Sequence, residues 1–338
     1  MIPLPAGGNS ASSPGSPAMD EPLLPPLPSP FQEVLQGVVP ADRLAAVLAS
    51  FATRKPTAFR LNPLRGDLAD TRQELAAAGF TLEAIDWLPA AFCVADSQRR
   101  ALTESAPCRE GRIYIQSLSS MVAPLALAPQ PGETILDLAA APGGKTLLLA
   151  ALMGNQGRIS AVESVRGRFF KMRANLERCG AAIVRTYLMD GRAVGRKCSG
   201  MFDRVLLDAP CSSEARFSRL NPASWAHWSP RKVSEAARKQ QGLLRAAVAS
   251  LRPGGSLLYC TCSFSPEENE LIIDAALRQY GTLLAVTPIP ISIPNTVPGL
   301  TCWRERPLHR DLAQALRILP DERLDGFFLC RLEKGLQP

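Results

Sequence analysis

An α/β fold, with a parallel sheet carrying helices on both faces, is predicted for most of this chain. Two observations predict it. From about residue 106 onward, short apolar runs of β character alternate with segments whose apolar residues recur at helical spacing. The chain has 338 residues, 46% of them hydrophobic, enough for one large core and a smaller one. Residues 31–105 lack the alternation and read as a small, mainly helical N-terminal domain. Residues 1–30 hold nine prolines among Gly, Ser and Leu, and are expected to be a disordered leader. The expected organisation is therefore 1–30, 31–105 and 106–338.

The elements follow in order. "PADRLAAVLASFATR" (40–54) and "GDLADTRQELAAAGF" (66–80) carry helical periodicity, the second with Asp67 as N-cap and Gly79 as stop. "FRLNPL" (59–64) between them reads as an extended link. "GETILDLAA" (132–140), "RISAVES" (158–164), "IVRTYLMD" (183–190), "FDRVLLDAP" (202–210) and "GGSLLYCTC" (254–262) read as strands. Helices are expected over 143–154, 165–180 and roughly 231–252. "SPEENELIIDAALRQYG" (265–281) opens with Ser265, Pro266 and Glu268, which suit a capping box. "GFFLCRLEK" (326–334) reads as a late strand, antiparallel at one end of the sheet.

Composition narrows the function classes. The net charge of +7 is compatible with a polyanionic partner, as it is with many ordinary enzymes. Nine cysteines and no secretory leader point to free thiols in a reducing, cytoplasmic compartment. No apolar stretch has the length of a membrane span. With only His227 and His309 available, a zinc site would need cysteines at metal spacing. Cys260 and Cys262 form C-x-C rather than C-x-x-C, so no metal is expected.

The first strand runs into "LDLAAAPGGKT" (136–146). A phosphate-cradling loop would need Gly at 139, which is Ala, and a G-x-G-x-x-G fingerprint is absent. Small residues that allow close backbone approach suit S-adenosylmethionine instead. Glu163 and Asp190 end the next two strands, where carboxylates can hold ribose hydroxyls and an adenine amine. Either alone could merely cap a turn.

Cys211 in "LLDAPCSS" (206–213) and Cys262 in "YCTCSF" (259–264) follow the fourth and fifth strands. If those strands are neighbours, both thiols reach one pocket at the carboxyl edge of the sheet, where open α/β folds bind ligands. A thiol beside a methyl donor has a use. Carbon 5 of cytosine is a poor nucleophile, and a thiolate adding to carbon 6 makes carbon 5 reactive. Asp208, three residues before Cys211, is placed to serve the ring nitrogen.

Together "LDLAAAPGGKT", "LLDAPCSS", "LLYCTCSFSPEENE" and "DGFFLCRLEK" resemble the successive motifs of the Sun (NOL/NOP/Sun, Fmu) family of RNA cytosine-5 methyltransferases. "GRIYIQSLSSMVAPLAL" (111–127) and "FRLNPLRG" resemble its earlier segments, so the likeness covers about 55–335. It implies a Rossmann-like class I methyltransferase sheet and S-adenosylmethionine as cofactor. It implies Cys262 as nucleophile, with Cys211 assisting breakdown of the covalent adduct. Ala139, Ala140, Ala141, Pro142, Gly143, Gly144, Lys145, Glu163, Arg168, Asp190 and Asp208 would bind the cofactor, with Asp208 facing the cytosine and Lys145 reaching into the active site. Cys260 is read as structural. One departure concerns "SEARFSRLNP", where the family often continues with Gly-x-Gly.

RNA, ribosomal favoured over transfer, is the expected partner of a monomeric enzyme. Arg60, Asn62, Arg216 and Arg219 are the candidate contacts. Basic clusters on 166–178, 192–197 and 216–232 could touch phosphates or simply be solvated. Trp225 and Trp228 could stack bases or be core. A DNA cytosine-5 methyltransferase would use Cys211 of the Pro-Cys pair as nucleophile. A non-catalytic RNA-binding assembly factor would not need Cys262, Cys211, Asp208 and Lys145 together.

Overall fold

The computed structural model describes residues 1–3 and 24–336. Most of the expected leader, 4–23, lies outside the described residues. Structure is described from residue 24, before Phe31. Leu27 is buried, and α1 (Ser29–Val38) and α2 (Ala41–Ser50) follow.

The small N-terminal domain has its helices, but a four-stranded antiparallel sheet organises them. The strands are β1 (Thr57–Leu61), β2 (Glu83–Ala84), β3 (Ala91–Val94) and β4 (Ile113–Ile115), in the order β2-β3-β1-β4. The stretch expected to be a link is thus largely β1, a central strand buried along its length. α3 (Leu68–Ala77) starts as expected, Asp67 accepting from the backbone N–H of Ala69 and Asp70. Gly79 follows at φ +88°, a conformation that favours glycine. α4 (Arg99–Glu104) and α5 (Ala106–Arg109) lead into β4. β4 lies past residue 105, so the small domain extends beyond its expected boundary.

α6 (Leu118–Leu127) leads to the large sheet. Its parallel part is β5 (Thr134–Asp137), β6 (Arg158–Glu163), β7 (Val184–Leu188), β8 (Phe202–Asp208) and β9 (Leu251–Thr261), connected through α7 (Gly144–Leu152), α8 (Arg166–Arg178), α9 (Val194–Lys197) and α10 (Pro230–Ser250). After α11 (Glu270–Tyr280) come β10 (Leu284–Thr287), β11 (Thr296–Pro298), a two-residue hairpin of β12 (Cys302–Trp303) and β13 (Arg306–Pro307), then β14 (Leu316–Ile318) and β15 (Phe327–Lys334). The nine-stranded sheet runs β11-β14-β15-β9-β8-β5-β6-β7, with β10 also pairing β15. β15 is antiparallel, as expected, but lies inside the sheet rather than at its end.

Alternation along the strands builds two cores. Val205, Leu207, Leu257 and Tyr259 face α1, α10 and α11, while Leu206, Leu258 and Cys260 face α6, α7 and α8. The chain goes out from β5 to β7 and returns to β8, so the sheet switches direction between β5 and β8. The carboxyl ends of those two strands are where such a sheet binds ligands.

Candidate active site

The loop after β5 is shaped by its small residues. Gly143 sits at φ +102°. A Cβ on Gly144 would lie 2.8 Å from the Tyr114 ring, so only glycine lets α7 start against β4 of the small domain. Ala139–Pro142, Gly144 and Lys145 line a cavity of about 610 Å³, a size usual for small-molecule sites. Arg168, Lys171, Asp208, Cys211, Arg216 and Cys262 share its walls.

β8 and β9 are parallel neighbours, with Asp208 opposite Cys260. This brings their loops together, and the Sγ atoms of Cys211 and Cys262 lie 3.2 Å apart. Neither cysteine is in a disulfide. The pair shares a proton unequally. The hydrogen bond from Cys211 lowers the pKa of Cys262, aided by Arg216 and the Ser213 side chain, against the penalty of burial. The same contact with Cys262, together with burial, pushes Cys211 well up. Of the two, Cys262 is the more acidic thiol. Cys260 is fully buried and its thiol is pushed well up by burial, which fits a packing role.

Lys145 donates to Asp208 Oδ2 at 2.7 Å and to Ser120 Oγ at 2.7 Å. Burial works against the Lys145 charge, but Asp208 and the neighbouring thiols prevail and hold its pKa up.

The other expected residues divide. Glu163 is buried at the end of β6, accepting from Val165 N at 2.8 Å and pairing with Arg168 at 3.6 Å. Asp190, just past β7, is held by Arg192 at 2.6 Å. Both acids lie outside the cavity wall proper. Arg216 is exposed at the cavity. Arg60 and Asn62 lie buried rather than on the surface, and Arg219 is part-buried. Arg60 is 3% exposed, donates to Gly144 O and stacks on Tyr114, because β1 is central in its sheet. Asn62 is 1% exposed, and its amide joins Gly111 O and Cys179 O. Arg219 spends its guanidinium on Leu24 O and Pro25 O. Trp228 packs against Phe31 and Phe217 and donates to Glu214, so the core alternative holds for it.

Sequence reasoning missed two carboxylates. Glu214 and Glu268 are both fully buried and tie the two thiol loops together. The expected capping box is replaced by this arrangement. Ser265 Oγ donates to Glu214, Glu268 reaches Ser212 and Ser263, and α11 starts only at Glu270. The signal available was a Glu in "CSSE", where the related pattern often has Gly-x-Gly.

Residues 124–333 match the family model of the 16S rRNA methyltransferases RsmB/F. The chain belongs to the RsmB/F family of methyltransferases. The ribosomal RNA small subunit methyltransferase F of Serratia proteamaculans (strain 568) is 34% identical, over 91% of this chain and 63% of the relative. The protein of the same description from Escherichia coli O139:H28 (strain E24377A / ETEC) is 36% identical, over 82% of this chain and 56% of the relative. The RsmB/F chain thus spans between about half and two thirds of these curated relatives. A solved methyltransferase homolog protein from Pyrococcus horikoshii is 30% identical, with a TM-score of 0.75 over 91% of this chain and all of that one. The expected class I methyltransferase fold is borne out for this RsmB/F domain.

Proposed function

We propose that this chain transfers a methyl group from S-adenosylmethionine to carbon 5 of a cytosine in RNA, through a covalent Cys262–cytosine adduct. The observation that carries this reading is the pair of free thiols 3.2 Å apart at the ends of neighbouring strands, in one cavity with the Lys145–Asp208 pair. Small-subunit ribosomal RNA is favoured over transfer RNA because the curated relatives carry that description.

The cavity suits the donor. Ala139–Pro142 form a wall without bulk, and Arg168, Lys171 and Lys145 offer cations to a carboxylate. Glu163 and Asp190 would take ribose and adenine by exchanging their contacts with Arg168 and Arg192. S-adenosylmethionine, when bound, supplies a methyl group on a positively charged sulfur. The chain's own residues do the rest. Cys262 Sγ, the more acidic thiol, bonds to carbon 6 of the cytosine. The proton that Cys262 gives up goes to nitrogen 3, where Asp208, backed by Lys145, would accept a hydrogen bond from it, so that the adduct stays neutral. Carbon 5 then takes the methyl group. Cys211, beside Cys262, would assist breakdown of the adduct: the carbon 5 proton is lost to solvent, its bonding pair restores the 5,6 double bond as the Cys262–carbon 6 bond breaks, and nitrogen 3 gives its proton back to Cys262. Arg216 at the cavity is the arginine placed to meet RNA. The small domain would guide the RNA, and the enzyme is expected to work as a cytoplasmic monomer.

The test mutates the thiols separately and supplies small-subunit RNA with labelled donor. Cys262→Ala should abolish transfer, and Cys211→Ala should accumulate a covalent RNA–protein adduct. Methylation by Cys262→Ala with no adduct from Cys211→Ala would reverse the roles. Transfer to DNA alone would indicate the Pro-Cys chemistry, and transfer to transfer RNA alone would overturn the ribosomal preference.

A further inference from the structure

We propose that Glu268 stands as a neutral acid and Glu214 as a carboxylate in a one-proton bridge through the Ser263 hydroxyl, which fixes the Cys211 loop against the Cys262 loop. The role in transfer rests on the proposed reading of the thiol pair; the protonation pattern does not.

Three close contacts link four oxygens, Ser212 Oγ, Glu268 Oε2, Ser263 Oγ and Glu214 Oε2, while Ser212 Oγ and Ser263 Oγ themselves stand 3.3 Å apart, beyond the O–H···O range. Ser212 meets Glu268 in a very short contact, Glu268 meets Ser263 at 2.6 Å, and Ser263 meets Glu214 at 2.9 Å. Each of the three contacts needs a proton between its oxygens, or two lone pairs face each other in a dry site. The two hydroxyls supply two. The third must sit on a carboxyl group.

The surroundings say which one. Besides Ser263, Glu214 accepts from Phe264 N at 2.8 Å, Ser265 N at 2.9 Å, Ser265 Oγ at 2.6 Å and Trp228 Nε1 at 3.1 Å. That is a full shell for a buried anion. Glu268 Oε1 accepts from Ser212 N at 2.9 Å and Gln240 Nε2 at 3.0 Å, while its Oε2 faces hydroxyls alone, which can accept as well as donate. Among the described residues, neither Glu makes an ion pair. The titratable groups facing Glu268 are Glu214, Cys211 and Tyr259, whose hydroxyl donates to the Glu268 carbonyl. Burial, joined by the Glu214 charge, raises the Glu268 pKa to about 7 against the hydrogen bonds from Ser212 and Ser263, which lower it.

The two acids therefore differ in what they tolerate. In Glu268→Gln the amide N–H₂ replaces the protonated oxygen and donates to Ser212 and Ser263. In Glu214→Gln either orientation sets the N–H₂ against an N–H donor, of Trp228 or of Phe264 and Ser265. The test compares these isosteric variants in the full chain. At pH 6, Glu268→Gln should melt no lower than the native chain, and Glu214→Gln clearly lower. An infrared protonated-carboxyl band should be present in the native chain, fade as pH rises, and be reduced in Glu268→Gln. Equal melting of the two variants, or an unchanged band, overturns the bridge. As a positioning residue, Glu268 should show in transfer as well: Glu268→Ala should lower kcat at least tenfold at unchanged KM for RNA, and Glu268→Gln should restore most of it. Loss of this rescue, with the infrared and melting results intact, would leave the bridge standing but remove its role in the reaction. Absence of transfer by the native chain would instead strike the functional reading alone.

Discussion

Asp137 closes β5 with one oxygen accepting from Thr146 Oγ1 at 2.6 Å and the other without a partner. It is wholly buried, and burial lifts its pKa to about 7. Glu268 is lifted to about 7 by the same cause. Between the unfolded carboxylate range and about pH 7 the folded chain holds protons that the unfolded chain has released. Stability contributed by these acids is full below the unfolded pKa and is lost as pH rises to about 7, at ~1.4 kcal/mol per pH unit for each group. Asp137→Asn keeps the Thr146 bond and should remove its share of that slope, as read by urea unfolding between pH 5 and 8. At this scale Cys211, Cys262, Lys145 and Asp208 were legible in the sequence. Each follows a recognisable strand, and the strand fixes where the residue emerges. Arg60 and Asn62 were not. An Arg or Asn carries no local sign of burial, and only the central position of β1 puts them inside. Glu268 was misread because S-P-E-E has the chemistry of a helix cap, and only the distant Glu214 draws Ser265 away from that task.

α2 was expected with the small domain and α1 was not foreseen, and both join the core beneath the thiol loops. Phe31 of α1 is fully buried, 4.8 Å from Phe217 and 5.8 Å from Phe264, ring centre to ring centre. Phe217 belongs to the segment after Cys211, and Phe264 to the segment after Cys262. A helix from the start of the described chain thus supports both halves of the site, and Arg219 adds to this by binding the backbone of Leu24, Pro25 and Phe51. Phe31→Ala should cost ~3–5 kcal/mol, the range for deleting a buried aromatic ring, and denaturant unfolding measures it. The periodicity of such a helix declares an apolar face. It does not declare the surface that face will meet, which is why the docking of α1 could not be read in advance.

Across the whole molecule, the small domain is held to the large one by backbone-directed contacts. Asn62 reaches Cys179 O at 2.9 Å, while Arg65 reaches Glu177 O at 2.8 Å and Arg178 O at 2.9 Å, at the C-terminal end of α8. Basic side chains there also meet the negative end of the helix dipole. The alternation of strands and helices was enough to foresee the parallel sheet. The inward place of β15 was not foreseeable, since neighbouring strands in a sheet need not be neighbours in sequence. β15 lies between β9 and the strands β14 and β10. A chain ending at Asp325 should leave β9 with an open, apolar edge and be recovered as aggregate, which soluble yield and circular dichroism would reveal. The consequence for synthesis is one of timing. Because the chain is made from its N-terminus, every parallel strand and both thiol loops leave the ribosome before the strand that seals the sheet. Until residues 327–334 arrive, the nascent protein carries both thiol loops on a half-built platform, and a pause in translation over 285–325 would prolong the interval in which β9 can pair with the wrong chain.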